Sequence, residues 1–280
     1  MNSSAPNPLG MSMLISHPQA PSVTEQLRLF AGVGFDSFFL SSGTVNDFEP
    51  IPDWAEAARR CGIFFEAVHA PTQYVDGVWR GGMERDIYQK LLWRIIELCA
   101  AGGVPKAVLH TAADPGVPVT SEGIAFWRKT EEFASRHGVC LCYENSAVPV
   151  HFAAVVQDLA PGHGICHDVG HQFCYTPQHA FEKQYADKIL YTHLHDNRGS
   201  MPPAGGTDLH LLPFDGLLDW QAYARALACA GYRGTLNLEL SCFHSKAYCA
   251  MSFSDFAALA FERVLRLREL KQEAESAPAY

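Results

Sequence analysis

Short apolar runs alternate with longer helical patterns eight times along nearly the whole chain. The runs contain six to eight residues, many of them β-branched or aromatic, as is typical of buried strands. The predicted strands are Met11–Ser16, Asp36–Ser42, Ile63–His69, Lys106–Thr111, Val139–Asn145, Gly164–Val169, Ile189–Asp196 and Thr235–Ser241. A strand followed by a helix, repeated in this way, leads to parallel pairing through right-handed crossovers. Eight such units predict an α/β fold, a single (β/α)8 TIM barrel.

Helical patterns with recognisable ends fill the segments between these strands. Ser22 and Glu25 form the Ser-x-x-Glu pattern of a capping box at the start of the first helix. Several later helices stop at glycine, the residue that most often takes the left-handed position after a helix. The predicted helices are Ser22–Ala31, Asp53–Cys61, Glu84–Ala101, Ser121–His137, Phe152–Leu159, Gln178–Lys188, Trp220–Ala230 and Ser254–Glu275.

An open, doubly wound sheet is the alternative to a closed barrel. An open sheet of that kind usually carries a glycine-rich turn after its first strand, and none follows here. No linker rich in Pro, Gly or Ser divides the chain, and the loosest internal stretch, 198–206, follows the seventh predicted strand. We therefore expect a flexible N-terminal tail over residues 1–10 and one barrel domain over residues 11–280.

Composition argues against several classes of protein. With 21 Lys and Arg against 30 Asp and Glu, the net charge is −9, which disfavours a nucleic-acid partner because phosphate binding depends on Lys and Arg. No segment reaches the roughly 18 apolar residues of a membrane span, and the N-terminus lacks the features of a signal peptide. The nine cysteines include no Cys-x-x-Cys pair, so reduced core thiols are expected. The sequence thus favours a cytoplasmic protein and leaves its oligomeric state open, a homo-oligomer included.

Residues able to bind metal or move protons lie at the carboxyl ends of the predicted strands. In a (β/α)8 barrel those ends face the active site, whereas the opposite ends stabilise the fold. A single histidine at a strand end is more often a satisfied polar residue than a ligand, whereas a full set of such residues at the same ends indicates a site. In chain order the residues are His69, His110, Glu144, Asp168, His171, His193, Asp208, His210 and Glu239.

Three of these residues, Glu144, Asp168 and Glu239, are carboxylates within apolar strands. An unpaired carboxylate is costly to bury, so each needs a cation or a dense shell of hydrogen bonds. Carboxylates at neighbouring strand ends also repel one another and take up protons unless a divalent cation lies among them. Carboxylates together with imidazole suit Mn, Zn, Fe or Co, and Mg less well. The sequence therefore predicts one bound divalent metal ion.

Seven short motifs fall in the order found in a known superfamily. They are HAP (His69–Pro71), LH (Leu109–His110), CYEN (Cys142–Asn145), HDVGH (His167–His171), HLHDN (His193–Asn197), DLHLLP (Asp208–Pro213) and LELS (Leu238–Ser241). The chain resembles the xylose-isomerase-like barrels, which include sugar-phosphate isomerases and epimerases, ketose 3-epimerases, inositol-catabolism enzymes and endonuclease IV. The resemblance runs from about Met11 to Phe261. One departure follows Pro213, where Phe214-Asp215-Gly216 replaces the family's usual Pro-Gly-x-Gly turn.

The resemblance implies a metal site with further ligands around it. Carried over by motif, the main metal site corresponds to Glu144, Asp168, His193 and Glu239. In the family's version of the HLHDN motif, the metal ligand lies three residues before the Asp, which here corresponds to His193. The resemblance then implies that His195 is a pocket residue and that Asp196 orients the metal-bound imidazole. In endonuclease IV, which holds three metals, the additional ligands correspond to His69, His110, His171, Asp208 and His210, so up to three ions are compatible with the sequence.

The resemblance favours a metal-dependent isomerase or epimerase of a small sugar or polyol. Glu144 and Glu239 correspond to the residues that take and return a proton beside a carbonyl in related ketose epimerases, through an enediolate. The candidate contacts to substrate hydroxyl or carboxylate groups are His171, His195 and Arg198, the last of which could equally be a solvated loop residue. Trp79, Phe173 and Phe243 are candidate apolar walls or simple core. No phosphate-specific motif is present.

Alternatives from other classes stay open. The full set of histidines also fits phosphodiester hydrolysis in the manner of endonuclease IV, although the acidic composition offers no basic surface for duplex DNA. Dehydration of an inosose, or breakdown of a keto acid, is another chemistry of the superfamily. A metal-binding scaffold without catalysis would be favoured if a base were missing, and both Glu144 and Glu239 are present.

Overall fold

Eight parallel strands form the centre of the structure. The computed structural model describes residues 5–14, 17–41, 48–199 and 208–277. The strands are β1 (Leu9–Ser12), β2 (Ser37–Leu40), β3 (Phe64–His69), β4 (Lys106–His110), β5 (Cys140–Glu144), β6 (Gly164–Asp168), β7 (Ile189–His193) and β8 (Leu236–Leu238). Each strand pairs with the next along the chain, and β1 pairs with β8. A parallel bridge from Leu194 to Leu238 joins the two remaining edges, so the sheet is a nearly closed barrel and the predicted fold class is confirmed.

Helices cover the outside of this barrel. They are α1 (Val23–Val33), α2 (Ile51–Cys61), α3 (Gly77–Arg80), α4 (Gly82–Gly102), α5 (Ser121–Arg136), α6 (Pro149–Val156), α7 (Val169–Tyr175), α8 (Phe181–Gln184), α9 (Trp220–Cys229), α10 (Lys246–Ala250) and α11 (Phe253–Ser276). The capping box of α1 is formed as the sequence predicts, because the Glu25 carboxylate accepts the backbone N–H of Ser22 at 3.1 Å. Gly34 ends the same helix at φ 111°, a conformation that side chains with a Cβ rarely adopt.

Apolar residues fill two separate spaces. The larger cluster lies between the strands and the surrounding helices and includes Leu9, Leu92 and Trp127. The smaller cluster is made by residues of successive strands and consists of Phe39, Ala67, Val108, Cys142, Cys166 and Tyr191. Because these six residues fill the barrel interior, polar side chains of the same strands that reach the carboxyl ends lie above a packed apolar floor.

The elements differ from the predicted ones mainly at their ends and in the loops. β1 begins at Leu9, two residues before the predicted strand. The helix predicted over residues 178–188 is shortened to the single turn of α8, and the helices α3, α7 and α10 follow strands where the sequence pattern indicates none. Residues 15–16 and 42, at predicted strand ends, and most of the loose stretch 198–206 lie outside the described residues.

Two predictions from composition can be compared with the structure. All nine cysteines lie in the described part of the chain, and none of them forms a disulfide. Five are buried, as expected for core thiols. Among the described helices, none combines the length and the apolar character needed to cross a membrane.

Candidate metal centre and active site

Four residues from four successive strands meet at the carboxyl end of the barrel. Glu144, Asp168 and His193 are the last residues of β5, β6 and β7, and Glu239 directly follows β8. All four are buried. One ligand atom from each lies within 4.8 Å of the others, and we call this set the central cluster. It is the group that the sequence predicts as the main metal site.

The Nδ1 atom of His193 lies in the middle of the central cluster. It is 2.5 Å from Glu144 Oε1, 3.2 Å from Glu239 Oε2 and 3.9 Å from Asp168 Oδ2. A single N–H can donate to only one of these carboxylates at a time. A divalent cation in this position would instead be shared by all four residues. The donor set of carboxylate oxygens and one imidazole therefore fits a metal ion better than it fits a proton.

A second group of histidines contacts the other face of the Glu144 carboxylate. Its Oε2 atom lies 2.9 Å from His69 Nε2 and 2.7 Å from His110 Nε2. Burial alone would raise the pKa of Glu144, but the adjacent imidazoles of His193, His69 and His110 hold it well below its usual value. Glu144 is thus ionised and has both oxygens engaged.

A flanking cluster lies beside the central one and consists of His171, His195, Asp208 and His210. Asp208 Oδ2 lies 3.0 Å from His171 Nε2 and 3.2 Å from His210 Nε2. The ring of His195 stacks on that of His210 at 3.9 Å, and its Nε2 lies 3.0 Å from Asp168 Oδ2. Burial opposes protonation of His210, yet Asp208 raises the pKa of that imidazole to about 9. His195 therefore connects the two clusters.

Three histidines share an arrangement that is typical of metal ligands. His69, His171 and His210 each donate Nδ1–H to a backbone carbonyl, at 2.8, 2.9 and 3.0 Å. Each of them also directs Nε2 at a carboxylate, Glu144 for His69 and Asp208 for the other two. A carbonyl that fixes one ring nitrogen leaves the other free to bind metal, as the outer partners of metal-bound histidines do. Both the central and the flanking residues thus fit divalent cations.

Backbone interactions hold these side chains at the strand ends. The side chain of Asn145 exchanges two hydrogen bonds with the Asp168 backbone, at 2.7 and 2.9 Å, which ties β5 to β6. The Asp168 carboxylate accepts the His171 N–H at 2.6 Å and so caps α7. His210 adopts a left-handed backbone conformation, φ 48°. The motifs EN and DVGH therefore position the site as well as supply its ligands.

The prediction that Asp196 orients His193 is wrong. The buried Asp196 carboxylate instead accepts four N–H groups, those of Asn197, Phe214, Leu218 and the Trp220 indole, at 2.7–3.1 Å. Nε2 of His193 has no hydrogen-bond partner within the described residues. Asp196 thus anchors the loop that follows the flanking cluster, and the oxygen of the central cluster nearest to Nδ1 of His193 belongs to Glu144.

The remaining candidates are not members of the two clusters. Arg198 is exposed, and Phe243 is 70% exposed. Trp79 is buried and donates its indole N–H to the Thr111 carbonyl at 2.8 Å, as a core residue does. Phe173 lines a separate cavity between α7 and α9. Ser146 directly follows the EN motif, and its buried hydroxyl has no hydrogen-bond partner among the described residues.

Comparisons with known proteins agree with the fold and the motifs. Residues 27–255 match the family described as "Xylose isomerase-like TIM barrel". One curated relative is "Uncharacterized protein y4fM" of Sinorhizobium fredii (strain NBRC 101917 / NGR234). The two sequences are 31% identical over 169 residues, which are 54% of this chain and 51% of that protein. The chain thus spans about half the length of this relative.

Solved structures with the same fold cover nearly the whole chain. A "D-tagatose 3-epimerase-like protein" has a TM-score of 0.75 with 19% identity, over 95% of this chain and 98% of the other. The "IOLI protein with a binding zinc atom" has a TM-score of 0.76 with 16% identity, over 96% and 100%. These identities support the fold alone, whereas the family match extends over most of the sequence. The chain therefore belongs to the xylose isomerase-like TIM-barrel family.

Proposed function

We propose that this protein is a metal-dependent isomerase or epimerase of a small polyhydroxylated carbonyl compound, a sugar or a polyol derivative. The proposed reaction removes and returns a proton on a carbon next to a carbonyl. Support comes from the family match, from the fold shared with a protein described as D-tagatose 3-epimerase-like and, above all, from the two buried glutamates that flank His193.

The two glutamates differ in how many close hydrogen-bond partners their carboxylate oxygens have, and this difference distinguishes their roles. Glu144 is contacted by three imidazoles at 2.5–2.9 Å. Glu239 lies 3.2 Å from His193 and 3.3 Å from the Ser41 hydroxyl, and it is slightly exposed. Burial would raise the pKa of Glu239, but the nearby His193 imidazole lowers it. Glu239 is therefore ionised and the more accessible base, while Glu144 is the second candidate for returning the proton.

The central cluster would hold the ion through Glu144, Asp168, His193 and Glu239. When bound there, a divalent metal supplies Lewis-acid chemistry that polarises a carbonyl and stabilises negative charge on the adjacent oxygen. His171 and His195, the residues expected from the sequence to contact substrate, belong to the flanking cluster beside this site.

Hydrogen exchange tests this proposal directly. The Mn²⁺-loaded enzyme should incorporate deuterium from D2O into a ketose such as D-tagatose or L-ribulose, at the carbon next to the carbonyl, and NMR detects the label. Glu239→Gln and Glu144→Gln should each lose exchange by about 10²-fold or more, and each should also weaken metal binding because both residues belong to the central cluster. Glu97→Gln, on the exposed face of α4, is the control that should leave both unchanged. A Glu239→Gln enzyme with full exchange would remove Glu239 as the base.

Phosphodiester hydrolysis is the second candidate, because one observation favours it. The groups His69–His110–Glu144, the central cluster and the flanking cluster are three adjacent sets that could each hold an ion. Several ions side by side suit displacement at phosphorus, although the net charge of −9 offers no general attraction for DNA. Metal analysis with an abasic-duplex cleavage assay separates the two. Three ions per chain with cleavage, and no exchange with any sugar, would establish hydrolysis instead.

A further inference from the structure

A cavity of about 340 Å³ lies on the helical side of the barrel wall, between α7, α8 and α9. From α7 it is lined by Val169, Gln172 and Phe173, whose spacing of three and four residues places them on one face of the helix. His171, the α7 residue of the flanking cluster, does not line it. Among the described lining residues none belongs to either cluster, so the cavity is separate from the candidate metal centre.

Glu182 of α8 lines this cavity with a carboxylate that has no hydrogen-bond partner among the described residues. Its side chain is only 11% exposed. Within the described part of the chain, the one basic group less than 4.0 Å away is His167, whose Nε2 lies 3.9 Å from Glu182 Oε1. A carboxylate so largely removed from water is unfavourable unless a cation or hydrogen bonds stabilise it.

His167 does not supply that stabilisation, because its own hydrogen bonds are directed elsewhere. Its Nε2 lies 2.6 Å from Gln172 Oε1, and its Nδ1 lies 3.4 Å from the Tyr223 hydroxyl. One ring nitrogen thus donates to the amide oxygen and the other accepts the hydroxyl, which leaves no N–H for Glu182. Burial and then the adjacent Glu182 carboxylate raise the pKa of Tyr223 well above its ordinary value, so the phenol stays protonated beside this negative charge.

The other walls favour a cation with an apolar body. Phe173, Leu218 and Tyr223 contribute aromatic and aliphatic surface, and none of the described lining residues is Lys, Arg or His. A second carboxylate, Asp219, also lines the cavity and caps α9. An anion would therefore meet two carboxylates and no base, whereas a cation gains from Glu182 and from aromatic rings. The volume falls within the roughly 300–1,000 Å³ of small-molecule sites.

We propose that this cavity binds a small organic cation, an ammonium group on a compact apolar body, with Glu182 as its counterion. The ammonium group donates a charge-assisted hydrogen bond to the carboxylate, while the apolar body packs against Phe173 and Leu218. The site goes beyond the proposed isomerase or epimerase reaction, since it uses neither the metal ion nor a residue of the two clusters. Its ligand contacts a different face of α7 from the one that carries His171.

Binding of benzylammonium and of benzyl alcohol tests this proposal, because the two probes share ring and size and differ in charge. Isothermal titration calorimetry gives both Kd values on Mn²⁺-loaded protein, and a repeat in EDTA checks that the amine does not bind the metal. Wild type should bind benzylammonium about ten-fold more tightly than benzyl alcohol in both states. Glu182→Gln, which keeps the shape and removes the charge, should bring the ratio close to one. Glu97→Gln, on the exposed face of α4 and outside the cavity, should keep the wild-type ratio.

A second variant tests the location of the ligand. Ala222→Phe fills the cavity from α9 and should abolish binding of both probes while the protein keeps its cooperative melting transition. Binding that survives in Ala222→Phe, or that disappears in EDTA, would place the amine elsewhere and overturn the proposal. Because the repeat in EDTA needs no metal, this result does not depend on whether the protein exchanges protons on a sugar.

Other occupants of the cavity would give different results. Equal binding of the two probes to wild type, or a ten-fold preference retained in Glu182→Gln, would refute Glu182 as the counterion. Tighter binding of phenylacetate than of benzylammonium would assign the cavity to an anion instead. If no probe binds up to its solubility, the site is refuted, and a dimer in analytical ultracentrifugation that Ala222→Phe dissociates would then identify a second copy of the chain as the occupant.

Discussion

Replacing Asp196 by Asn should destabilise the protein strongly, although the two side chains have the same shape. Oδ1 of Asp196 accepts the N–H groups of Asn197 and Leu218, at 2.8 and 3.1 Å. Oδ2 accepts the Phe214 N–H at 3.0 Å and the Trp220 indole at 2.7 Å. An amide keeps one acceptor oxygen and turns the other position into a donor. Two of the four N–H groups would therefore face another donor.

The size of the loss follows from the number of unsatisfied donors. A buried group left without its partner costs about 1–3 kcal/mol, and Asp196 is fully buried. Two such groups give a loss of about 4 kcal/mol in the free energy of unfolding. For a chain of this size each kcal/mol lowers Tm by about 2–4 °C, so Asp196→Asn should melt about 8–16 °C below wild type.

Thermal melting and urea denaturation in EDTA measure this difference without a contribution from bound metal. Asp219→Asn is the matched control, because Asp219 is the N-cap of α9, accepting the Ala222 N–H at 2.9 Å, and Asn caps a helix as well as Asp does. The control should stay within about 0.5 kcal/mol of wild type. If Asp196→Asn lost less than about 1 kcal/mol, these four hydrogen bonds would not hold the loop as described.

Three further perturbations give distinct expectations. Mn²⁺ at 100 times its Kd should stabilise wild type by about 2.7 kcal/mol, and it should stabilise Glu239→Gln much less. The measurement compares the Tm of each protein with Mn²⁺ and with EDTA. Burial lowers the pKa of His163. The contribution of His163 to the free energy of unfolding should therefore be complete above its ordinary pKa of about 6.5 and fall as the pH drops below that value. His163→Gln should reduce this loss, measured by urea denaturation between pH 7.5 and 5, and an unchanged pH dependence would contradict the prediction. A Cβ at Gly170 would lie 2.1 Å from the His195 ring, so Gly170→Ala should lower the free energy of unfolding by about 1–3 kcal/mol. Gly32→Ala in α1 is the control, because its added methyl meets nothing within 4 Å and should be neutral or slightly stabilising. Equal melting temperatures of the two variants would refute the predicted clash with His195.

The position of the central cluster could be predicted because the chain repeats one unit. Each strand ends where a helical crossover begins, so all carboxyl ends lie on one face once eight repeats are recognised. Glu144, Asp168 and Glu239 then stand out, since a carboxylate inside an apolar strand is costly to bury unless a cation or several hydrogen bonds stabilise it. The structure brings these residues together at one end of the barrel.

Features that depend on a single contact could not be predicted in this way. α7 has only seven residues, too few for a helical period to show, and it is held by the cap from Asp168. The role of Asp196 depends on Trp220, whose indole lies 24 positions away in the chain. Ser146 has no signal at all, because an unpaired hydroxyl is recognised only when its surroundings are known. Periodicity thus locates strand ends, whereas partners across loops require the folded chain.

The three histidines that are fixed by backbone carbonyls connect protonation to metal binding. With Nδ1–H of His69, His171 and His210 committed to carbonyls, a contact from Nε2 to a carboxylate requires a second proton on the ring, since a carboxylate only accepts. The carboxylates raise the pKa of all three imidazoles against the effect of burial. A cation bound at Nε2 would take the place of that proton, because a metal ligand must be deprotonated. Acidic residues such as Asp208 therefore keep the same geometry with protons or with metal, and the site can be fully assembled before an ion arrives.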